Sequence, residues 1–331
     1  MLNLDRPETK FAVDIVRQAS QLVKQVQAEM VSPALTKDDR SPVTVADFAS
    51  QALVGWALKE TFPDHPLVGE EDASELRQPI RKLALEQITQ FVSRYISQAT
   101  PEKVCSWIDL GAGKPTKLFW TLDPIDGTKG FLRGDQYAVA LALIVEGQVQ
   151  IGVLGCPNLT EGNQLVAGGK GTLAIAVRGE GAWLTSLEAD VDSYQPLLVS
   201  DIAIPAQARL LRSLESEHTN ISQIDYFAQE LEVEIEPVRM DSQAKYVLLA
   251  FGKGDLYLRL LSPKQPDYRE RIWDQAAGSI IVEEAGGQVS DLHGKALDFT
   301  AGRMLLNNRG ILASNGLLHS DALQALRAIN A

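Results

Sequence analysis

The chain has 331 residues, of which 31 are basic and 43 acidic, so that its formal net charge is −12 at pH 7. An acidic surface repels polyanions, which makes nucleic acid polymers and anionic membranes poor partners. No apolar run is long enough to span a bilayer, and the length exceeds that of one usual core, so we expect two domains or one large layered domain.

Two features of the sequence bear on the compartment. The N-terminal stretch carries acidic residues early and lacks the basic, apolar and small-residue order of a secretory signal. We therefore expect a cytoplasmic protein, with an organelle reached after processing as the alternative. The two cysteines, Cys105 and Cys156, are too few for a disulfide framework. Two reduced thiols are expected, with a regulatory disulfide between them as the alternative.

The first predicted element is a long amphipathic helix over residues 6–30, in which apolar residues recur every three to four positions. After a polar loop, a second helix is predicted to follow the segment VTVAD at residues 43–47. Thr44 and Asp47 have the spacing of a helix-capping arrangement, which gives Asp47 a purely structural interpretation.

An acidic triplet comes next in the chain. Glu70, Glu71 and Asp72 follow a short apolar run that ends at Gly69. Plain solvation is a sufficient explanation for such a triplet in isolation, so a functional role needs support from other parts of the chain. Beyond it, residues 75–99 are predicted to be helical and residues 106–118 irregular.

The stretch WTLDPIDGTKGF at residues 120–131 is the most informative part of the sequence. An apolar strand runs into Asp123 and stops at Pro124, which has no N–H to give to a sheet. Asp123 and Asp126 supply two carboxylates, and Gly127 lets the backbone approach an anion. Oxygen ligands of this kind suit Mg²⁺, which also takes substrate phosphate oxygens. The same residue types form ordinary surface turns, and this alternative stays open on the stretch alone.

The remaining chain divides into two patterns. Apolar runs between residues 137 and 183, separated by glycine-containing turns, predict an antiparallel sheet that packs with the two long helices. From about Tyr194, strands and helices alternate, which predicts a mixed sheet flanked by helices. We therefore predict two domains, residues 1–193 and 194–331, in a layered α+β, α/β fold arranged as an α-β-α-β-α sandwich.

A third acidic element is Asp274, which follows Trp273 and opens a helical pattern. Asp is a favoured N-cap residue, so a structural role again suffices for it alone. The segments GEE, DPIDGT and WDQAAGSIIVEEAGG together resemble, in this order, the signature of the inositol monophosphatase superfamily of lithium-sensitive, magnesium-dependent phosphomonoesterases. The resemblance extends from about Asp39 to Gly287.

The resemblance implies a metal site for two or three Mg²⁺ ions. The ligands it implies are side chains and one backbone carbonyl, at Glu70, Asp123, Ile125, Asp126 and Asp274. It also implies that the Thr128 hydroxyl relays a proton from the attacking water towards Asp47. Glu71 and Asp72 are predicted to tune the site through water or through contacts with the ligands, with plain solvation as the alternative.

The C-terminal half predicts a second phosphate pocket. Ser242 and Lys245 lie three positions apart near a predicted helix start, and Arg259 on a predicted strand offers a bidentate phosphate contact. Ordinary solvated charge is the alternative for each residue taken singly. These segments resemble the superfamily branch that acts on 3'(2'),5'-bisphosphate nucleotides, which implies that they hold the retained 5'-phosphate and that His218 lies at the nucleoside. The predicted substrate contacts are Gly127, Thr128, His218, Ser242, Lys245, Arg259 and Asp274.

The activity implied by the resemblance is magnesium-dependent hydrolysis of 3'-phosphoadenosine 5'-phosphate, and of its 5'-phosphosulfate, in the context of sulfur assimilation. The expected partner is thus a small phosphorylated nucleotide. A phosphatase for inositol monophosphate or fructose bisphosphate on the same fold is one alternative, and it would not need Ser242, Lys245 and Arg259. A non-catalytic sensor of metal or nucleotide is another, and it would need no proton relay between Thr128 and Asp47.

Overall fold

The structure is a computed structural model of the chain and describes residues 3–30, 42–161, 164–165, 169–188, 193–214 and 221–331. Among these residues, no helix is both long and apolar enough to cross a lipid bilayer. Cys105 and Cys156 are both buried and free, in agreement with the expectation of two thiols.

The helices follow the apolar periodicity of the sequence. The first begins at a proline, which is favourable at a first helical position, and buries its apolar stripe, including Phe11, Ile15 and Leu22. The α-helices of the described residues are α1 (Pro7–Met30), α2 (Pro42–Thr61), α3 (Lys82–Ser93), α4 (Pro101–Ile108), α5 (Thr128–Arg133), α6 (Ile221–Glu230), α7 (Ala244–Ala250), α8 (Ala276–Glu284) and α9 (His319–Ala328).

The strands form two large sheets and one small one. In the described part of the chain they are β1 (Leu67–Gly69), β2 (Leu118–Asp126), β3 (Ala138–Val145), β4 (Gln148–Cys156), β5 (Leu159–Thr160), β6 (Gln164–Leu165), β7 (Thr172–Val177), β8 (Gly181–Ser186), β9 (Gln195–Pro196), β10 (Leu210–Arg212), β11 (Val238–Arg239), β12 (Leu256–Arg259), β13 (Gln288–Ser290) and β14 (Ile311–Ser314). Strands β5 and β6 pair only with each other within the described residues.

The first large sheet has the strand order β1-β2-β3-β4-β7-β8-β9. Its neighbours pair antiparallel except β1 and β2, which are parallel. The sequence predicted an antiparallel sheet, and the difference is confined to this one pair. The chain between β1 and β2 contains α3 and α4, and a crossover of this length permits parallel pairing.

The second large sheet has the order β11-β10-β12-β14-β13. Strands β11, β10 and β12 are parallel, whereas β14 is antiparallel to both β12 and β13. The prediction of a mixed sheet in the C-terminal half is therefore confirmed.

Three apolar clusters separate the layers. One lies between α1 and α2 and a face of the first sheet, a second lies between the two sheets around α7 and α8, and a third packs α6 and α9 against the outer face of the second sheet. The order of layers is thus helix, sheet, helix, sheet, helix. The predicted α-β-α-β-α sandwich is confirmed.

Helix α4 is one place where the sequence prediction was partly wrong. Residues 106–108 were expected to be irregular but lie in this helix. It begins with Pro101 directly after Thr100, whose hydroxyl accepts a hydrogen bond from the backbone N–H of Lys103 at 3.4 Å. The nearby glycines suggested an irregular segment. Thr100 as the capping residue and Pro101 at the first helical position are nevertheless signals of a helix start.

The predicted domain boundary lies close to the edge of the first sheet. Strand β9, at Gln195–Pro196, pairs with β8 and so belongs to the first sheet although it follows residue 193. The division into residues 1–193 and 194–331 stays a prediction.

Candidate active site

A cavity of about 320 Å³ opens where the carboxyl ends of β1 and β2 meet α7, β12 and the segment before α8. Its lining combines residues that are more than 200 positions apart in the chain. It includes the residues predicted as metal ligands, Glu70, Asp123, Ile125, Asp126 and Asp274, and the predicted substrate contacts Gly127, Thr128, Ser242, Lys245 and Arg259.

A bulge in β2 brings Asp123 and Asp126 to the same side. Two residues three positions apart point to opposite faces of a regular strand. In β2, however, Asp123 pairs with Ala140 and Asp126 with Ala138, so that the β2 side contains one residue more than its partner. Both aspartates line the cavity, while Ile125 has its side chain in the core beneath α1 and α2.

The bulge also releases backbone groups from the sheet. The extra residue of a bulge is left outside the regular ladder of hydrogen bonds. The carbonyl of Pro124 accepts a hydrogen bond from the Ser50 hydroxyl at 3.3 Å, and the N–H of Ile125 donates to Asp123 Oδ1 at 3.1 Å. Ile125 itself lines the cavity, and the use of its backbone carbonyl as a metal ligand stays a prediction.

Glu70 comes to this place because β1 is parallel to β2. The register pairs Gly69 with Leu122, so the residues that follow, Glu70 and Asp123, are neighbours at the same sheet edge. Their carboxyl groups are in hydrogen-bond contact.

Asp274 approaches from the helical layer between the two sheets. It lies in the turn before α8, which begins two residues later at Ala276. The position flanking the helix is Gln275, so Asp274 does not occupy the predicted N-cap position.

Burial and neighbouring charges together set the pKa values on the acidic side of the cavity. Burial, and then the nearby Glu70, Asp126 and Asp274 carboxylates, raise the pKa of Asp123 well above its ordinary value. Burial likewise raises the pKa of Asp274, against an opposing influence of Arg259. For Asp126, burial raises the pKa, while the charges of Lys245 and Arg259 act in the opposite direction.

This arrangement fits a hard divalent cation. Carboxylate oxygens crowded into a partly desolvated cavity are the donors that Mg²⁺ and similar ions take, and a bound cation offsets their repulsion. Within the described residues, no group of three or more His, Cys, Asp or Glu side chains is assembled into a ligand cluster. The four carboxylates predicted as metal ligands nevertheless line one cavity and supply the oxygen donors that such an ion takes.

Gly127 forms the hinge between the strand and α5. Its φ of 89° lies in the left-handed region, which glycine adopts without strain. A Cβ at this position would lie only 2.7 Å from Ser242 Cβ, so the backbone can approach the C-terminal segment only because no side chain is present. Thr128 follows as the first residue of α5 and lines the cavity.

Asp47 is buried in α2 and is not part of the cavity lining. Burial, followed by the charges of Glu71 and Glu70, raises the pKa of Asp47 well above its ordinary value, so this carboxyl lies beside the acidic triplet. The helix already begins at Pro42, and the side chain of Thr44 lies outside the described residues. The relay between Thr128 and Asp47 stays a prediction.

The other members of the triplet differ from each other. Burial and the charges of Glu70, Asp72 and Glu75 raise the pKa of Glu71 to about 7. Asp72 is exposed and accepts hydrogen bonds from the hydroxyl and, at 2.9 Å, from the N–H of Ser74, which lower its pKa. Their influence on the metal site stays a prediction.

The cationic side of the cavity comes from the second sheet and α7. Lys245 is only 2% exposed, with Nζ 3.2 Å from the Met240 carbonyl oxygen and 5.2 Å from the Tyr257 ring centre. Burial lowers the pKa of Lys245 to about 8, although Asp126 opposes this shift. Arg259 Nε donates a hydrogen bond to Glu270 Oε1 at 3.1 Å and lies 3.0 Å from Glu270 Oε2 in an ion pair.

Ser242 is placed differently from the sequence expectation. The predicted helix from this residue begins only at Ala244, and Ser242 has a φ of 67°. Its hydroxyl accepts a hydrogen bond from the N–H of Ala244 at 3.2 Å. Ser242 and Lys245 nevertheless line the same cavity. The predicted nucleoside contact, His218, lies outside the described residues.

Comparison with known proteins bears directly on this site. The sequence profile of the inositol monophosphatase family matches residues 4–331. The chain belongs to this family. Family members are metal-dependent phosphatases, which suits a cavity lined by five carboxylates.

Two curated relatives match the chain over nearly their whole length. A 3'(2'),5'-bisphosphate nucleotidase of Schizosaccharomyces pombe is 40% identical over 340 residues, covering 97% of this chain and 95% of that protein. A 3'(2'),5'-bisphosphate nucleotidase of Oryza sativa is 43% identical over 339 residues, covering 97% and 93%. The predicted resemblance to this branch of the inositol monophosphatase family is confirmed.

Solved structures agree on the fold. The IMPase of Thermotoga maritima superposes with a TM-score of 0.64 at 18% identity, covering 98% of each chain. CysQ of Bacteroides thetaiotaomicron, a bacterial member of the inositol monophosphatase family, gives a TM-score of 0.63 at 19% identity, covering 95% of this chain and 99% of that one.

Three residues that organise the site were missed by the sequence reasoning. Gln51 in α2 is buried, donates to the Glu71 carbonyl at 2.6 Å and accepts from the Glu71 N–H at 3.0 Å. Arg303 donates to the Gly69 carbonyl and lies 4.9 Å from the Trp273 ring centre. Both fix the loop that carries Glu70, and the only sequence signal for Gln51 is an amide among apolar helix residues.

The third missed residue is Gln243. Its backbone N–H donates to Asp126 Oδ2, while its side chain donates to the Trp273 carbonyl at 3.0 Å and accepts from the Gly278 N–H at 3.2 Å. One residue therefore links the bulge of the first sheet to the turn that carries Asp274. No local pattern in the sequence indicates a link between segments so far apart.

Proposed function

We propose that the chain is a magnesium-dependent phosphatase that hydrolyses 3'-phosphoadenosine 5'-phosphate to AMP and phosphate, with the 5'-phosphosulfate as a second substrate. The observation that carries this proposal is a single cavity with an acidic side and a cationic side, lined by Asp123 and Asp126 on one side and by Lys245 and Arg259 on the other. A ligand with two phosphates, one to be cleaved and one to be retained, matches such a division. The names of the relatives that are about 40% identical support the same substrate class.

The residues that would hold the metal are Glu70, Asp123, Asp126 and Asp274 through their carboxylates and Ile125 through its carbonyl. Two or three Mg²⁺ ions bound there would activate a water molecule and neutralise charge on the phosphate that leaves. The fold positions these oxygens, because the bulge of β2 and the parallel pairing of β1 bring Glu70, Asp123 and Asp126 to the same sheet edge.

The proposed proton path uses side chains of the first domain. Thr128 Oγ1 accepts a proton from the attacking water and passes its own proton towards the Asp47 carboxylate. A threonine alone is a poor base, so the buried carboxylate is what makes this role chemically reasonable. Glu71 and Asp72 act on the site only indirectly in this scheme.

The proposed site for the retained 5'-phosphate uses Ser242, Lys245 and Arg259, with the Gly127 backbone between the two phosphates. A guanidinium and an ammonium held in a partly buried cavity bind phosphate more strongly than exposed ones, because fewer waters compete for the anion. His218 is proposed at the nucleoside. We also propose two domains, divided at residue 193, and a cytoplasmic location for the protein.

The experiment is a substrate panel with Mg²⁺, comparing 3'-phosphoadenosine 5'-phosphate, adenosine 3'-monophosphate and inositol 1-phosphate. We expect kcat/KM for the bisphosphate to exceed that for adenosine 3'-monophosphate roughly hundredfold, since charged hydrogen bonds contribute roughly 1.5–3 kcal/mol each. Faster turnover of inositol 1-phosphate would overturn the proposal in favour of an inositol phosphatase. Binding of the bisphosphate without any phosphate release would favour a sensor.

A further inference from the structure

A chain of buried polar side chains stands behind Arg259. Glu270 is 4% exposed, and Gln275 and Tyr246 are fully buried. The Tyr246 hydroxyl contacts Gln275 Oε1 at 2.5 Å, Gln275 Nε2 donates to Glu270 Oε2 at 2.9 Å, and Glu270 accepts from Arg259 Nε. None of the three residues behind Arg259 was identified from the sequence.

The direction of every hydrogen bond in this chain is fixed by chemistry. Arg259 can only donate, so both of its contacts with Glu270 require carboxylate oxygens that accept. Gln275 must then turn its NH₂ group towards Glu270, which leaves its carbonyl oxygen for the Tyr246 O–H. Burial raises the pKa of Tyr246 well above its ordinary value, so the phenol keeps the proton that it donates.

The position of these residues links the chain to the cavity. Arg259 lines the cavity with Lys245 and Tyr257, whereas Glu270, Gln275 and Tyr246 lie behind its wall. The Tyr246 and Tyr257 rings pack edge to face, with their centroids 5.1 Å apart. This contact holds Tyr246, at the far end of the hydrogen-bonded series, against the strand that carries Arg259.

A carboxylate beside an anion pocket reduces the net positive charge there, so its benefit must lie elsewhere. Glu270 contacts Arg259 at Nε and therefore fixes the plane of the guanidinium from its stem side. An arginine held in one orientation loses less side-chain entropy when it binds a phosphate through its terminal nitrogens.

We propose that Glu270, backed by Gln275 and Tyr246, is a positioning residue that orients Arg259 for the 5'-phosphate of the substrate and so contributes to the preference for bisphosphates. This inference rests on the proposed function of the second phosphate pocket. It adds residues that do not touch the substrate and act only through Arg259.

The test compares Glu270→Gln and Tyr246→Phe with the unaltered protein, using 3'-phosphoadenosine 5'-phosphate and adenosine 3'-monophosphate, which differ only in the 5'-phosphate. An amide at position 270 cannot accept from both Arg259 and Gln275 without turning its own NH₂ group towards one of them. We expect Glu270→Gln to raise KM for the bisphosphate about tenfold, as is common when a group that orients a ligand is lost. Tyr246→Phe should raise KM for the bisphosphate two- to threefold. The effect is smaller because the hydrogen bond that this variant removes, between Tyr246 and Gln275, does not involve Arg259 directly. For adenosine 3'-monophosphate, kcat/KM should stay within about twofold in both variants.

Asp255→Asn is the matched control, since Asp255 forms a buried pair with Arg209 at 2.8 Å outside the cavity. It should lower the melting temperature without changing the ratio of kcat/KM between the two substrates. Equal losses on both substrates in Glu270→Gln would show a structural role and overturn the proposal, as would an unchanged ratio. If Glu270→Gln does not fold, the ratio in Tyr246→Phe decides. A parent protein that does not prefer the bisphosphate would instead overturn the second pocket itself, and the positioning role with it.

Discussion

The two sides of the cavity solve the problem of buried charge in different ways. On the acidic side, burial raises the pKa values of Asp123 and Asp274, and neighbouring carboxylates raise them further. On the cationic side, Arg259 has its own buried counterion in Glu270, and Lys245 is held by a backbone carbonyl. Each of these two cations therefore has a polar partner within the protein before any ligand binds. The acidic side depends on cations from outside to balance its charges.

The largest effect is expected from Asp126→Asn, which removes a carboxylate from the acidic side and keeps an acceptor for the Gln243 N–H. Loss of several kcal/mol of metal-assisted stabilisation should reduce kcat/KM roughly a thousandfold. Mg²⁺-dependent phosphate release measures this, and removal of metal by a chelator should abolish the activity of the parent to a similar degree. Asp201→Asn, an exposed acid, serves as the control. Undiminished turnover in Asp126→Asn would show that the acidic side does not bind the catalytic ions.

The next effect, on the cationic side, should separate substrates. Lys245→Ala is expected to raise KM for 3'-phosphoadenosine 5'-phosphate roughly a hundredfold, because one charged contact to the retained phosphate and its buried partners are lost. KM for inositol 1-phosphate should change much less. Lys253→Ala, a lysine just beyond the same helix and outside the cavity lining, is the matched control. Equal changes for both substrates would mean that Lys245 does not bind a second phosphate.

A smaller effect is expected from Gln51→Met, which removes both hydrogen bonds to the Glu71 backbone. The loop carrying Glu70 would lose its fixed position, and half-saturation should require about tenfold more Mg²⁺, as for other groups that orient metal ligands. The nucleotide KM at saturating Mg²⁺ should be nearly unchanged. Titration of activity and of the melting temperature with Mg²⁺ measures the shift. An unaltered Mg²⁺ requirement would contradict the orienting role of Gln51.

The smallest effect is a pH dependence of substrate binding. The pKa of Lys245 is lowered to about 8, so the side chain is charged below that pH and loses its charge as pH rises through it. KM for the bisphosphate should therefore rise severalfold between pH 7 and pH 9, while KM for inositol 1-phosphate changes little over the same interval. The rise should be absent in Lys245→Ala. A rise that persists in this variant must come from another group.

Much of the fold and of the acidic side could be predicted from the sequence, because their signals are local. Asp123 and Asp126 stand in one short motif at a strand end, and the helix periodicity of α1 is unbroken. Gln51, Gln243 and Glu270 could not be found in this way, because each acts through a partner brought near by tertiary packing. Residue-type patterns reveal groups that act at the end of a strand or helix. They do not reveal groups that orient a distant segment.

The cationic side shows the same limit in its backbone. The sequence predicted a helix from Ser242, but that residue has a φ of 67° and the helix begins two residues later. A positive φ is uncommon for serine, and the surrounding contacts, including the one with Gly127, hold it there. Such a conformation results from the approach of two distant segments and leaves no trace in local periodicity.

The contact between Gly127 and Ser242 sets the distance between the first sheet and the segment before α7. Because a Cβ at position 127 would lie 2.7 Å from Ser242 Cβ, even one added methyl group must force the two segments apart. In the proposed function, the phosphorus atom that reacts and the one that is retained lie on opposite sides of this contact. The width of this contact then fixes the spacing between the two phosphate positions. A substrate fits both positions only if the number of bonds between its two phosphorus atoms matches that spacing.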